Sequence, residues 1–159
     1  MLQDIRHNAL ELRVPPLALG LFAAALMWLV SWELPAFRFL VPARNLLLVF
    51  LATAGGFMVI LGLSSFRRAR TTVNPMKPAS ASSLVVSGVY AFTRNPMYLG
   101  FLLLLAGWAI FLSNAISFVF LPLFVFYMNR FQIGPEERAL ALKFGQEFVF
   151  YKSRVRRWL

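Results

Sequence analysis

The chain contains no cysteine and only one histidine, His7, which lies in a polar N-terminal segment. Without cysteine there is no disulfide framework, no thiolate nucleophile and no thiolate-based metal site. A single histidine without a tight cluster of carboxylates does not make a zinc site. We therefore expect His7 to be an ordinary surface residue and the protein to hold no metal.

Charged side chains are also scarce. They make up 14% of the chain, against about 25% in ordinary soluble domains, whereas hydrophobic residues make up 60%. This composition predicts a membrane protein. The formal net charge is nevertheless +10. Because the basic residues flank apolar runs, we expect their partner to be an anionic membrane surface and not nucleic acid.

Uncharged runs predict where the chain crosses the membrane. Residues 14–32 and 45–66 carry no charge, and each is long enough to cross a hydrocarbon core of about 30 Å. Residues 95–129 are also uncharged, but as one straight helix they would be roughly 52 Å long. We therefore expect a hairpin with spans at 97–112 and 115–133, and Ser113 or Asn114 as the cap of the second helix.

These spans define the expected fold class. It is all-α, a polytopic membrane helical bundle with about four transmembrane helices in a single domain, residues 1–159. The polar residues 1–13 are expected to form a short interfacial helix. Two pairs of small residues four apart, Gly20 with Ala24 and Ala52 with Gly56, predict close approach between helices.

Proline and glycine predict irregular points in the second half of the chain. Pro122 should kink the second arm of the hairpin because it removes a backbone hydrogen bond. Gly134–Pro135 should end that arm, and Pro135 should start an amphipathic helix at 135–155. We expect this C-terminal helix to lie on the membrane surface, because it combines one apolar stripe with several basic residues. The basic residues are Lys143, Lys152, Arg154, Arg156 and Arg157.

The distribution of basic residues predicts the orientation. With four spans, all of the 16 lysines and arginines except Arg38 and Arg44 lie on the side of the two termini. The positive-inside rule places that side in the cytoplasm. The loop at 71–98 and the glutamates after Pro135 then face the same compartment.

A small group of polar and aromatic residues on that side could carry chemistry. Each taken singly is explained by membrane anchoring, an interface belt or a helix N-terminus. Taken together, a guanidinium, a carboxylate pair and aromatic faces suit a zwitterionic ligand with an aromatic base. The group is Tyr90, Arg94, Asn95, Tyr98, Glu136 and Glu137.

Two motifs in this region resemble a known family. They are Gly88-x-Tyr90-x-x-x-Arg94-Asn95-Pro96-x-Tyr98 and Glu136-Glu137-x-x-Leu140-x-x-x-Phe144-Gly145-x-x-Phe148-x-x-Tyr151, with the hairpin between them. This pattern, over roughly residues 72–157, is similar to the isoprenylcysteine carboxyl methyltransferase and phospholipid methyltransferase superfamily, in particular to its short bacterial members.

The resemblance implies an integral membrane enzyme of the bacterial inner membrane that uses S-adenosylmethionine. It implies cofactor contact for Tyr90, Arg94, Asn95, Pro96, Tyr98, Glu136 and Glu137, and it assigns no catalytic residue. The family often has histidine where Asn95 stands. Asparagine donates and accepts hydrogen bonds but does not titrate near neutral pH, so we expect it to position groups and not to relay protons.

The acceptor implied by the resemblance is a lipid-like or prenylated molecule. A carboxylate arrives ionised and needs no base, whereas a phospholipid amine must first lose a proton. The matched blocks offer only Glu136, Glu137 and tyrosines as bases. An isoprenylcysteine-type carboxylate is therefore favoured, and a phospholipid amine stays open.

Two other functions remain open at this point. Sterol reductases share a similar arginine-containing loop, so a membrane reductase using a nicotinamide cofactor is one alternative. Such reductases usually have more spans and a longer polar insert. The other alternative is a membrane scaffold that binds neither cofactor.

Overall fold

The computed structural model describes residues 11–72, 74 and 76–159. His7 and most of the interfacial helix expected at 1–13 lie outside these residues. The described part contains six α-helices: α1 (Pro16–Glu33), α2 (Arg44–Arg68), α3 (Pro96–Leu112), α4 (Phe120–Tyr127), α5 (Gly134–Phe144) and α6 (Gln146–Arg154). Its only extended pairing is a single bridge between Arg38 and Asn114. The all-α membrane bundle predicted from the sequence is confirmed.

Three helical segments are long and apolar enough to cross a bilayer: Pro16–Glu33, Arg44–Arg68 and Ala115–Phe144. The remaining expected span, 97–112, corresponds to α3, which is shorter at 17 residues. It rises about 25 Å, close to the lower limit for crossing the hydrocarbon core. Successive spans run in opposite directions, so the polar loop at 71–95 and the start of α5 reach the same end of the bundle.

The turn between α3 and the next helix lies at Ser113 and Asn114, as expected. Ser113 adopts a left-handed conformation with φ of 52°. The Asn114 side chain accepts a hydrogen bond from the backbone N–H of Ile116 at 3.0 Å and thereby caps the following 3₁₀ segment, Ala115–Val119. Its amide also donates to the Leu34 carbonyl at 2.9 Å, which ties the hairpin to the end of α1.

The prediction that the helix ends at Gly134–Pro135 was wrong. The chain passes from α4 into α5 through a π-helical turn, Met128–Ile133, and Gly134 keeps helical angles. The Gly134 N–H bonds to the Asn129 carbonyl, five residues back. This wider turn accommodates Pro135. Proline has no backbone N–H to donate, and in a regular helix its ring would clash with the carbonyl four residues earlier. Pro122 lies in the first turn of α4, directly after the 3₁₀ segment that begins this arm.

The prediction of a single C-terminal helix at 135–155 was also wrong. This segment forms two helices, α5 and α6, which are separated at Gly145. Gly145 has φ of 53° and ψ of −125°, a conformation that side chains rarely permit. Because of this break, α6 returns toward the loop that precedes α3, and Tyr151 on α6 donates a hydrogen bond to the Tyr90 carbonyl at 2.7 Å.

Glycines bring α2 and α3 into backbone contact, but they are not the ones predicted. A Cβ atom at Gly55 would lie 2.6 Å from the Gly100 carbonyl oxygen, and one at Gly100 would lie 2.6 Å from the Gly55 oxygen. A Cβ atom at Gly62 would lie 2.5 Å from the Met97 side chain. Gly20 and Gly56, by contrast, have nothing within 4 Å of their Cβ positions. Spacing alone does not show which face of a helix meets its neighbour.

Candidate functional site

A cavity opens at the end of the bundle where the 71–95 loop, α3, α5 and α6 meet. Phe66 at the end of α2 and several residues of the 71–87 loop form part of its wall. The cavity is lined by six of the seven residues singled out in the sequence: Tyr90, Arg94, Asn95, Tyr98, Glu136 and Glu137. The seventh, Pro96, is buried and faces α2 near Gly62.

The arginine of the loop and the second glutamate of α5 form a direct ion pair. Arg94 Nη2 lies 2.9 Å from Glu137 Oε1, and both side chains are only 10% exposed. The other terminal nitrogen of Arg94 donates to the backbone carbonyls of Lys152 and Val155. Residues 43 positions apart are therefore joined in one buried polar cluster.

The two glutamates have different environments, so they do not act as a matched carboxylate pair. Glu137 is bound by Arg94 and also by Arg157, whose Nη2 and Nε contact the two carboxylate oxygens at 2.7 and 3.1 Å. Glu136 instead accepts a hydrogen bond from the Tyr98 hydroxyl at 3.0 Å. Gln132, on the π-helical turn, reaches the same hydroxyl at 3.5 Å.

Two tyrosines close the side of the cavity next to α6. Burial raises the pKa of the Tyr90 hydroxyl, and the neighbouring Glu136 raises it further. Burial also raises the pKa of Tyr151. Both phenols therefore stay protonated at physiological pH, and the Tyr151 hydroxyl donates to the Tyr90 carbonyl. The Tyr90 ring also packs edge-on against Phe66, with 5.4 Å between the ring centroids.

One donor in this cluster has no partner. The Nε of Arg94 is buried, and none of the described residues accepts its hydrogen. An unpaired buried donor costs free energy, about 1–3 kcal/mol and more for a charged group. Other atoms of Arg94 line the cavity, so its positive charge is available to attract an anionic group of a ligand.

The sequence interpretation missed several residues of this region, because it assigned the basic C-terminal residues to the membrane surface. Arg157 lies beyond α6 and binds Glu137. Lys152 Nζ is 3.6 Å from the same carboxylate. Lys143 donates to the Ala79 carbonyl at 2.7 Å and joins α5 to the loop. One feature of the sequence could have predicted these contacts. The chain has 16 basic but only 6 acidic residues, so an adjacent pair of glutamates is expected to attract arginines.

Helices long and apolar enough to cross a bilayer, with a polar cavity at one end of their bundle, define an integral membrane protein. Its sequence matches the phospholipid methyltransferase family over residues 44–147. The chain belongs to this family, and the superfamily resemblance of its motifs is confirmed.

Individual relatives agree with the family assignment. A Haemophilus influenzae protein of uncharacterised function is 44% identical over 63 residues, which are 40% of this chain and the whole of that protein. The protein-S-isoprenylcysteine O-methyltransferase of Rattus norvegicus is 34% identical over 115 residues, 68% of this chain and 40% of the rat protein. The Saccharomyces cerevisiae protein of the same name is 37% identical over 82 residues, 50% of this chain and 33% of the yeast protein.

These alignments span less than half the length of the rat and yeast proteins. No solved structure matches the chain.

Proposed function

We propose that this protein is a membrane methyltransferase that uses S-adenosylmethionine and transfers a methyl group to a lipid-like acceptor. The observation that carries the proposal is the meeting of the Arg94 loop with Glu136 and Glu137 around one cavity. The family match and the methyltransferase names of the relatives support the same chemistry.

The residues of the cavity fit this cofactor. The methionine part of S-adenosylmethionine has a carboxylate, and the Arg94 guanidinium, which lines the cavity, would attract it. Glu137 is already shared by Arg94, Arg157 and Lys152, so the cluster keeps an excess of positive charge. We assign the sulfonium to the neighbourhood of Glu136, and the adenine to the aromatic faces of Tyr90 and Phe66.

The make-up of the cavity wall also fits, because apolar side chains surround a few convergent polar groups, as in small-molecule sites. When bound, S-adenosylmethionine would supply the methyl group from its sulfonium. The protein's part is then to align donor and acceptor and to exclude water, which is an effective route for an in-line displacement.

An isoprenylcysteine-type carboxylate is the acceptor that the site favours. An amine acceptor needs a base, and the candidates are few. Glu137 is bound by two arginines, and the Tyr90 hydroxyl has a raised pKa. Glu136 is left as the one candidate base among the site residues predicted from the sequence, and it already accepts a hydrogen bond from Tyr98.

We further propose that the cavity faces the cytoplasm and that the membrane is the bacterial inner membrane. Arg67, Arg68 and Arg94 lie at the cavity end of the bundle, whereas Arg38 and Arg44 lie at the opposite end. The excess of basic residues at the cavity end supports this orientation through the positive-inside rule.

Titration of the purified protein in lipid nanodiscs tests the cofactor. We expect saturable binding of S-adenosylmethionine and S-adenosylhomocysteine and none of NADPH. Transfer of a labelled methyl group to an N-acetyl-S-prenylcysteine, compared with phosphatidylethanolamine, then tests the acceptor. Binding of NADPH alone would favour the reductase, and binding of neither cofactor would favour the scaffold.

Tyr98→Phe is expected to weaken S-adenosylhomocysteine binding by about tenfold. The change removes the hydroxyl that donates to Glu136 at 3.0 Å, and hydrogen bonds to charged groups contribute about 1.5–3 kcal/mol. Isothermal titration calorimetry measures the loss. Tyr127→Phe is the matched control, because the structure gives the Tyr127 hydroxyl no hydrogen-bond partner among the described residues and its ring packs on Phe131. Equal affinities in the two variants would remove Tyr98 from the site.

A further inference from the structure

The chain after α6 forms a strap, residues 155–158, that crosses the loop in front of α3. Val155 is extended, which ends the helix and turns the chain toward the loop. The backbone N–H of Arg94 donates to the Arg156 carbonyl at 3.0 Å. The side chains of Thr93 and Asn95 both donate to the Arg157 carbonyl, at 3.3 and 2.9 Å. Three successive loop residues are thus bonded to two carbonyls of the strap.

The side chains of the strap bind the opposite wall of the site. Arg157 contacts both oxygens of Glu137 through Nη2 and Nε. The Trp158 indole N–H donates to Asn129 Oδ1 at 3.0 Å, and Arg157 Nη1 reaches the same oxygen at 3.4 Å. Asn129 belongs to the π-helical turn. The strap therefore joins the loop to the π-helical turn and α5, two consecutive segments that are far from the loop in sequence.

These contacts converge on Arg94. Its Nη1 donates to the Lys152 and Val155 carbonyls at the end of α6 and the start of the strap. Its Nη2 donates to Glu137, whose orientation is set by Arg157. The guanidinium is held on two sides, and its Nε has no acceptor among the described residues. Such pre-ordering lowers the entropy lost when a ligand binds.

We infer that Arg157 is a positioning residue for the cofactor site, acting through Glu137 on Arg94, and that the strap sets the binding conformation of the loop. Arg157 is not part of the cavity lining, whereas Arg94 and Glu137 are. Arginine suits this role because its planar fork engages a carboxylate through two parallel bonds, which lysine does not reproduce. The inference rests on the proposed cofactor for its functional consequence.

Neighbouring arginines provide a matched test. Arg157→Gln should weaken S-adenosylhomocysteine binding by about tenfold or more, because Glu137 loses its two-point partner inside a partly buried cluster. Arg156→Gln removes the same charge one residue away, where the side chain is exposed, and should stay within about twofold of wild type. Arg157→Lys keeps the positive charge but cannot bind both carboxylate oxygens at once, so its affinity should lie between those of the two glutamine variants. Equal affinities for Arg157→Gln and Arg156→Gln would overturn the inference.

A second measurement does not depend on the cofactor. In cofactor-free protein, amide hydrogen exchange of Arg94 should accelerate in Arg157→Gln and not in Arg156→Gln, since its N–H is bonded to the strap. Unchanged exchange in Arg157→Gln would overturn the role of the strap. If wild-type protein bound no S-adenosylhomocysteine, the proposed function would fail, and the exchange result alone would decide whether Arg157 orders the loop.

Discussion

Glu137→Gln is expected to weaken S-adenosylhomocysteine binding by at least about thirtyfold. The Glu137 side chain is 10% exposed and contacts Arg94, Arg157 and Lys152. A neutral amide of the same shape leaves two guanidiniums in a partly buried cluster without a counter-charge. Loss of one partner from such a pair costs about 2–5 kcal/mol, and about 1.4 kcal/mol corresponds to a factor of ten.

The design of this experiment separates a local effect from a general loss of charge. Glu147→Gln removes a carboxylate from α6, where the side chain is exposed, and should leave binding near the wild-type value. Arg94→Ala should reproduce the effect of Glu137→Gln, because it removes the other half of the 2.9 Å ion pair. Wild-type affinity in both Glu137→Gln and Arg94→Ala would refute the assignment of this cavity to the cofactor.

Gly55→Leu is expected to lower the stability of the protein more than any substitution on the lipid-facing side of α2. A Cβ at this position would lie 2.6 Å from the Gly100 carbonyl oxygen and 3.1 Å from the Leu104 side chain. The nearest atom is backbone, so the two helices must separate. Overpacking of this kind costs about 1–3 kcal/mol and occasionally more.

The adjacent glycine is the control. Gly56 has nothing within 4 Å of its Cβ position, so Gly56→Leu should unfold at nearly the wild-type temperature in a thermal melt in detergent. Gly55→Leu should also bind S-adenosylhomocysteine more weakly, because α3 carries Tyr98 into the cavity. Equal melting temperatures for the two variants would mean that α2 and α3 do not pack through Gly55.

Much of the site could be anticipated from the sequence, and for a physical reason. The uncharged spans predict that the 71–98 loop and Glu136–Glu137 lie on one side of the membrane, because two crossings, an even number, separate the loop from the glutamates. The motif resemblance then named the residues. The structure places six of these seven in the lining of one cavity, and Arg94 meets Glu137 directly.

The partners within the site could not be anticipated in the same way. Arg157 and Lys152 were assigned to the membrane surface, because their spacing along the chain fits an amphipathic helix. The positive φ at Gly145 divides that helix, and the strap turns Arg157 inward to Glu137. A local pattern of charge does not show that a later turn will bring a residue to a distant carboxylate.

Sequence alone determined the helical class, the approximate spans and the end of the bundle that holds the polar residues. These follow from the thickness of the bilayer and from the cost of placing charge or unpaired backbone within it. Tertiary structure decided that Gly55 and not Gly56 meets α3, that Glu137 is shared by two arginines, and that Glu136 faces Tyr98. These details depend on how each helix is rotated about its axis and where its turns lie, and the packing of all the elements together settles both.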